Sequence, residues 1–220
     1  MSIKNTAVLT CPKCGQQFES ICWDSLNGDL NPEEKEKLLN GKLFNITCVH
    51  CGNIARFLYP MLYHDMSKHA MVKLTFNQEE IPHICDYFKS ASNLTNTDNN
   101  YAYKYRIVFK PNDLIEKAKI FDCELDDRII EIMKIMRFDS IKKDYTFKKI
   151  DKIYFNVADN NKYVFDIIAN NRYFASVDID DNLYSSLDFR FYDIIESIPL
   201  DEYIIDCNWA INFIKRYNII

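Results

Sequence analysis

Alternating apolar and polar residues predict several short strands in the first 76 residues. A period of two places successive side chains on opposite faces of a sheet. On this pattern we predict strands at residues 6–10, 17–23, 43–48, 53–59 and 69–76. The first part of the chain is therefore expected to be rich in β-structure.

One helix is predicted within this β-rich region, at residues 32–40. Asn31 is a candidate N-cap and Pro32 suits the first helical position, where two glutamates follow in the first turn. Gly41 suits the position just beyond the last turn, where a left-handed backbone often ends a helix. The helix would be an insertion between the strands at 17–23 and 43–48.

The pattern changes after a segment rich in Ser, Asn and Thr at residues 90–100, which we interpret as a linker. A short helix at 80–89 precedes it. Beyond it we predict strands at 101–109, 150–157, 162–168 and 172–179, and helices at 111–121, 125–137, 183–197 and 207–217, the last capped by Asp206. The expected fold class is α+β. A β-rich zinc-ribbon module at 1–90 would be followed by an α+β C-terminal region at 101–220, where a mixed sheet packs with helices; the two could also pack as one unit.

Composition and charge set limits on the class of protein. Hydrophobic residues make up 48% of the chain, enough for a packed core. The start of the chain lacks the pattern of a signal peptide, and no apolar run approaches the ~18 residues of a membrane span, so a cytoplasmic protein is expected. The net charge of -5 argues against bulk attraction to nucleic acid. The acidic C-terminal third could face a basic partner or be a solvated surface.

Four of the eight cysteines lie in two C-x-x-C pairs, each followed by glycine. The candidate metal ligands are Cys11, Cys14, Cys48 and Cys51. Two intervening residues let one tight turn direct both sulfurs at one ion, and zinc takes four such ligands in a tetrahedron. The residue after each pair often needs a positive φ, which suits Gly15 and Gly52. We therefore predict one structural Zn²⁺ with no open coordination position.

The 33 residues between the pairs exceed the ~15–20 of a compact site, and the inserted helix accounts for the excess. The alternatives are two unrelated turns or a redox dithiol, and the paired glycines argue against both. His50 lies in the second turn and is expected to be exposed, not ligating. The remaining cysteines are expected to be buried thiols: Cys22, Cys85, Cys123 and Cys207.

These features resemble the CpXC domain family. The resemblance rests on both cysteine pairs, the helix between them and the run Leu62–Asp65 (LYHD). It extends over Arg106-Ile107-Val108, 112–117 (NDLIEK) and 126–131 (DDRIIE), so it covers roughly residues 8–140. Val49 stands where the family often has proline, which leaves both ligands in place. The resemblance implies zinc binding and a bacterial or archaeal source, and it implies no particular reaction.

Other polar residues offer weaker candidates for chemistry. His64 and Asp65 could form a polar dyad or play a structural role. An acidic set could hold magnesium, but interleaved cations, including a Glu131–Lys134 pair, favour a salt-bridged surface: Asp113, Glu116, Asp122, Asp126, Asp127 and Glu131. Three of these residues and one arginine form a carboxylate and arginine group that could serve an enzyme: Arg106, Glu116, Asp127 and Glu131. A lysine-rich segment with interleaved aromatics at 142–149 could bind single strands, or be a solvated turn.

The leading hypothesis is a zinc-stabilised protein-interaction module, because the predicted metal site is closed and no catalytic motif is recognisable. The alternative is a nucleic-acid-binding zinc ribbon, which would need Lys13, Arg56, Lys68 and Lys73 to cluster. A third hypothesis is an enzyme that uses the carboxylate and arginine group.

Overall fold

The computed structural model describes residues 1–95, 103–144, 149–199 and 201–219 of the 220-residue chain. These residues form two units, Met1–Ala118 and Lys119–Ile220. The fold class is α+β, as predicted, with six α-helices and ten strands in the described part. None of the helices in that part is long and apolar enough to cross a membrane.

The strands are β1 (Ile3–Thr10), β2 (Gln17–Asn27), β3 (Asn45–Thr47), β4 (Ile54–Arg56), β5 (Met61–Asp65), β6 (Ala70–Leu74), β7 (Lys104–Val108), β8 (Lys152–Val157), β9 (Tyr163–Ala169) and β10 (Arg172–Asp178). The α-helices are α1 (Pro32–Leu39), α2 (Ile81–Thr95), α3 (Pro111–Asp122), α4 (Asp127–Asp144), α5 (Asp181–Glu196) and α6 (Cys207–Arg216).

The first unit is built on a mixed five-stranded sheet in the order β1-β2-β5-β6-β7. β1 pairs antiparallel with β2 and β5 pairs antiparallel with β6, whereas the β2–β5 and β6–β7 pairs are parallel. β2 pairs with β1 along most of its length, and its last three residues, 25–27, pair with β5. One continuous strand therefore joins the region of the first cysteine pair to the central sheet.

The inserted helix α1 forms where it is predicted, and Gly41 follows it with φ 68°. Its N-cap residue is Asn31, as predicted, but the Asn31 side chain does not cap the helix. The Asn31 amide instead donates to Ser2 Oγ at 2.6 Å and to the Asn27 carbonyl at 3.0 Å. Leu38 is fully buried, so α1 is held by apolar packing as well as by backbone bonds.

An ion pair joins α1 to strand β5 of the central sheet. Lys35 Nζ lies 2.8 Å from the Asp65 carboxylate, and both side chains are largely shielded from water. A Cβ atom at Gly28 would lie 2.9 Å from Tyr63 Oη and 3.1 Å from Lys35 Cδ. Glycine at position 28 therefore leaves the space in which the lysine reaches the buried aspartate.

Helix α2 lies over the sheet face that carries Tyr105. The rings of Phe88 and Tyr105 are 5.0 Å apart. α2 begins close to the predicted position but continues to Thr95, so it includes the first six residues of the predicted linker. Ser90 and Ser92 donate their hydroxyls to the Asp86 and Lys89 carbonyls within the helix, which satisfies polar groups that were expected to favour a loop.

The rest of that linker, residues 96–100, and residues 101–102 of the predicted strand lie outside the described part. β7 follows them and pairs with β6, within the first unit. β5 is a strand that the sequence pattern did not predict. Its five residues alternate between fully and partly buried, so both faces are covered and no polar face marks the strand.

The second unit contains an antiparallel sheet in the order β10-β9-β8, the three consecutive strands predicted. Asn170 and Asn171 connect β9 to β10 with φ of 53° and 58°, a left-handed turn that asparagine tolerates. α4 contacts α5 and α6, and Phe191 of α5 meets Phe213 of α6 edge to face at 5.7 Å. This contact joins the buried faces of α5 and α6.

Candidate metal centre

The two cysteine pairs adopt the same backbone turn. In the first, the Cys11 N–H donates to the Gln16 carbonyl at 2.9 Å, and the Gly15 N–H donates to the Cys11 carbonyl at 2.9 Å. In the second, Cys48 N–H donates to the Asn53 carbonyl at 2.8 Å, and Gly52 N–H donates to the Cys48 carbonyl at 2.9 Å. Each turn folds its two sulfurs to one side.

Glycine is required after each pair by backbone conformation and not by space. Gly15 has φ 72° and Gly52 has φ 68°, in the left-handed region. A Cβ atom at either position would meet no heavy atom within 4 Å. The predicted reason for these glycines is therefore confirmed.

The four sulfurs lie at the corners of a small cluster. Cys11 Sγ is 3.7 Å from Cys51 Sγ, and Cys14 Sγ is 3.8 Å from Cys48 Sγ. All four lie within 4.8 Å of one another. Ideal tetrahedral coordination by sulfur at ~2.3 Å gives sulfur–sulfur edges of about 3.8 Å. The group could hold a metal ion, and its geometry is compatible with structural zinc.

A small apolar core supports the cluster from one side. Cys11 and Cys48 are buried with Phe18, while Cys14 and Cys51 face solvent. Phe57 packs edge to face on Phe18, with ring centroids 6.1 Å apart. Neither ring was among the residues predicted to contribute to the site. Their positions in the sequence could have identified them, since each aromatic residue follows a cysteine pair by four to six residues.

The pKa values of Cys11 and Cys14 shift in opposite directions. The backbone N–H of Cys14 is the main reason that the pKa of Cys11 falls to about 6. The Gln16 N–H acts in the same direction on Cys14, but burial and the three neighbouring sulfurs raise the pKa of Cys14 to about 12. Four thiolates this close repel one another, so full deprotonation requires a positive ion among them.

Comparison with known protein families decides the identity. The family model described as CpXC protein matches residues 9–134, more than half of the chain. The chain belongs to the CpXC family. No curated protein and no solved structure matches it.

The CpXC match begins at the first cysteine pair and includes the whole four-cysteine cluster. Within it, His50 does not join the sulfurs. Its Nε2 lies 3.0 Å from the Gln17 carbonyl oxygen, so the imidazole links the second cysteine turn to the start of β2. The exposed position expected for His50 agrees with this contact.

His64 and Asp65, in the LYHD run of the CpXC region, do not form a dyad. They are adjacent on β5 and therefore lie on opposite faces of the sheet. Asp65 is buried and paired with Lys35, whereas His64 Nε2 lies 3.2 Å from Tyr103 Oη. Burial is the main cause that lowers the pKa of His64. The geometry supports the structural interpretation of both residues.

The carboxylate and arginine group is buried, so the expected placement of these residues on a surface is wrong. Arg106 and Glu116 of the first unit are 7% and 3% exposed, and Asp127 and Glu131 of the second are 0% and 4% exposed. The predicted Glu131–Lys134 pair forms at 2.9 Å, but inside the protein. The three-residue spacing on a helix predicted the Glu131–Lys134 pair correctly. It could not show which side of α4 faces solvent.

Of the four cations proposed for nucleic-acid binding, one is hydrogen-bonded to another side chain and two are half-buried. Arg56 donates to Asn112 Oδ1 at 2.8 Å, and Lys73 is half-buried in the central sheet. Lys13 is exposed and Lys68 is half-buried. Residues 145–148 of the lysine-rich segment lie outside the described part.

The cysteines outside the cluster differ in burial from the prediction. Cys22 is buried, as expected. Cys207 is exposed, and Cys85 and Cys123 are partly exposed, so the prediction of buried thiols is wrong for these three. Cys207 is the first residue of α6.

Proposed function

We propose that the first unit is a protein-interaction module stabilised by one structural zinc ion, held by Cys11, Cys14, Cys48 and Cys51. Four sulfur ligands in this arrangement leave no position for substrate or water on the metal, which favours a structural role. Zinc is the metal that four-cysteine sites of this spacing usually take.

The observation that carries the interaction proposal is a pair of exposed aliphatic side chains on the outer face of the β1–β2 hairpin. Val8 is 64% exposed and Ile21 is 57% exposed. Val8 lies opposite Glu19, and Ile21 lies opposite Thr6. The two side chains are therefore diagonal neighbours on one face. Adjacent exposed apolar groups on a rigid hairpin favour contact with an apolar surface of another protein.

The position of β1 adds to this argument. It is the edge strand of the five-stranded sheet, so a partner can approach from the open edge as well as from the face. Further exposed aliphatic side chains occur in the same unit: Leu30, Val49, Ile54 and Leu58. The nucleic-acid alternative has less support, because Arg56 is already hydrogen-bonded and Lys73 lies near the carboxylates of Asp24 and Glu80.

Metal analysis tests the zinc proposal. Protein purified without added metal is expected to contain one zinc per chain, and Cys51→Ser is expected to lose most of it because three thiolates bind zinc far less tightly. Cys207→Ser, which removes an exposed cysteine outside the cluster, is the matched control and should keep its zinc. Another metal in stoichiometric amount, or zinc retained in full by Cys51→Ser, would contradict the proposal.

Affinity capture from a lysate of the source organism, followed by binding assays with the purified partner, tests the interaction. The double variant Val8→Ser/Ile21→Ser is expected to weaken binding at least tenfold while keeping its zinc and its unfolding temperature. Phe189→Ser removes an exposed apolar side chain from α5 in the second unit and should bind normally. A partner that is lost with Phe189→Ser but kept by the double variant would show that the hairpin is not the interface.

A further inference from the structure

A cavity of about 400 Å³ lies between the central sheet and helix α2 in the first unit. It takes no part in the metal centre, since none of the four cysteines lines it. Its volume falls within the range of sites that hold small molecules. We call it the α2 cavity.

The floor of the α2 cavity is a row of paired residues across four strands, next to a register shift between Ile3 and Lys4 of β1. Ile3 of β1 lies opposite Ser25 of β2, Ser25 lies beside Leu62 of β5, and Leu62 lies opposite Lys73 of β6. Paired residues in a sheet project from the same face, so these four side chains form a continuous strip. Lys73 is the only charged residue in that strip.

The wall and the rim of the α2 cavity differ in chemistry. Ile84 and Phe88 of α2 are buried and form an apolar wall. Asp24, Glu80 and His83 line the cavity with exposed side chains, so they form a polar rim in contact with water. The exposed rim charges are screened by solvent, whereas the half-buried amine on the floor is screened less.

The Lys73 amine interacts electrostatically with the carboxylates of Asp24 and Glu80 but makes no hydrogen bond or ion pair within the part of the chain that the structure describes. Both of these carboxylates also accept hydrogen bonds from other residues, since Asp24 Oδ2 accepts from Asn5 Nδ2 at 2.6 Å and Glu80 Oε2 accepts from Thr75 Oγ1 at 2.8 Å. Burial lowers the pKa of Lys73, which Glu80 and Asp24 raise only in part.

We propose that the α2 cavity binds a small amphipathic monocarboxylate, whose carboxylate accepts hydrogen bonds from the Lys73 ammonium and whose hydrocarbon part lies against Leu62, Ile84 and Phe88. An ammonium with unused donors beside apolar walls is complementary to a ligand with one anionic end and an apolar body. A bound carboxylate supplies the acceptor that the described residues do not.

The rim limits the charge of the ligand. Asp24 and Glu80 would repel a second negative group at the mouth of the cavity, which disfavours dicarboxylates and phosphate esters. A ligand with an uncharged outer end avoids that additional repulsion. The cavity is therefore expected to distinguish an alkanoate from a dianion of similar length.

Three probes with the same eight-carbon chain test the proposal on the full-length protein: octanoate, octanol and octylamine. Binding is measured by titration calorimetry, and the methyl NMR signals of Leu62 and Ile84 report whether the probe enters the cavity. Octanoate is expected to bind about tenfold more tightly than octanol, because only the carboxylate makes a charge-assisted bond. Both methyl signals are expected to shift.

The variant Lys73→Met keeps the side-chain length and removes the charge. It is expected to bind octanoate no better than octanol, while its affinity for octanol stays within a factor of two. Lys42→Met removes an exposed positive charge that does not line the cavity and should retain the tenfold preference. Circular dichroism confirms that each variant is folded before its binding is compared.

Each other outcome overturns the proposal. Equal binding of the three probes would show an apolar cavity without charge recognition, and a preference for octylamine would show that the acidic rim dominates. A preference for octanoate that survives in Lys73→Met would place the anion elsewhere. Failure of octanoate to shift the Leu62 and Ile84 methyl signals at millimolar concentration would exclude the cavity as its site.

Discussion

Asp65 shows how one buried charge organises the first unit. Its carboxylate accepts hydrogen bonds from Tyr63 Oη at 2.8 Å, Ser67 Oγ at 2.9 Å and the Lys68 N–H at 3.1 Å, and it pairs with Lys35 Nζ at 2.8 Å. Burial by itself would raise the pKa of Asp65, but the lysine and the two hydroxyls lower it below its usual value. The ionised form is therefore the one that the fold stabilises.

This arrangement predicts a loss of stability on acidification. Since the pKa of Asp65 is lower in the folded state than in the unfolded state, its contribution is present above pH ~4 and is lost as the pH falls through the folded value. At pH 7, Asp65→Asn is expected to lower the free energy of unfolding by about 3 kcal/mol, because Lys35 is left without its partner.

Urea unfolding of wild type and Asp65→Asn at pH 7, 5 and 3 measures the effect. The difference between them should stay constant from pH 7 to 5 and shrink at pH 3. Glu79→Gln, a change at an exposed carboxylate of the same unit, should differ little from wild type at any of these pH values. A difference for Asp65→Asn that does not change with pH would rule out ionisation of Asp65 as its source.

Gly52 allows backbone strain to be separated from crowding. With φ 68° and open space around its missing Cβ, Gly52→Ala should cost about 1 kcal/mol of unfolding free energy through the left-handed backbone alone. Gly52→Asn should cost about half as much, because asparagine adopts this conformation more readily. Denaturant unfolding of the metal-loaded protein measures this, and the free energy of unfolding should decrease from glycine to asparagine to alanine at position 52. Equal stability of all three proteins would contradict the prediction.

Among the elements, one of the two helix caps predicted from the sequence forms and the other does not. Asp206 was expected to cap α6, and its Oδ1 accepts from the Trp209 N–H at 2.9 Å. Asn31 was expected to cap α1 in the same way, but its side chain is taken by Ser2 and Asn27. A local pattern identifies a residue able to cap a helix; tertiary partners decide whether it does.

Replacement of Asp206 tests the value of such a cap. Asp206→Ala should lower the free energy of unfolding of the second unit by about 1 kcal/mol, because the Trp209 N–H loses its acceptor. Asp206→Asn should be close to wild type, since asparagine caps equally well. Thermal unfolding followed by the fluorescence of Trp209 measures both, and equal loss in the two variants would attribute the effect to charge instead of to the cap.

At the scale of the whole molecule, sequence patterns predicted most elements and the four-cysteine group, because period, capping and the C-x-x-C spacing are local properties. They did not show that β2 continues into the central sheet, that β5 lies beside it, or that Glu116, Asp127 and Glu131 are buried. Each of these depends on contacts between distant parts of the chain. The α2 cavity also depends on such contacts, because its floor forms only when residues of four separate strands pair with one another.

The continuity of β2 leads to a prediction about metal removal. The N-terminal part of β2 lies beside the first cysteine turn, and residues 25–27 pair with β5. Loss of the metal should therefore release not only the β3–β4 hairpin but also the β1–β2 and β2–β5 pairs, because the thiolates repel once their counter-ion is gone. Hydrogen exchange before and after chelation measures this. Protection is expected to fall at least tenfold in β1–β5 and much less in α5 and α6. Loss confined to β3 and β4 would show instead that the cysteine cluster folds independently of the central sheet.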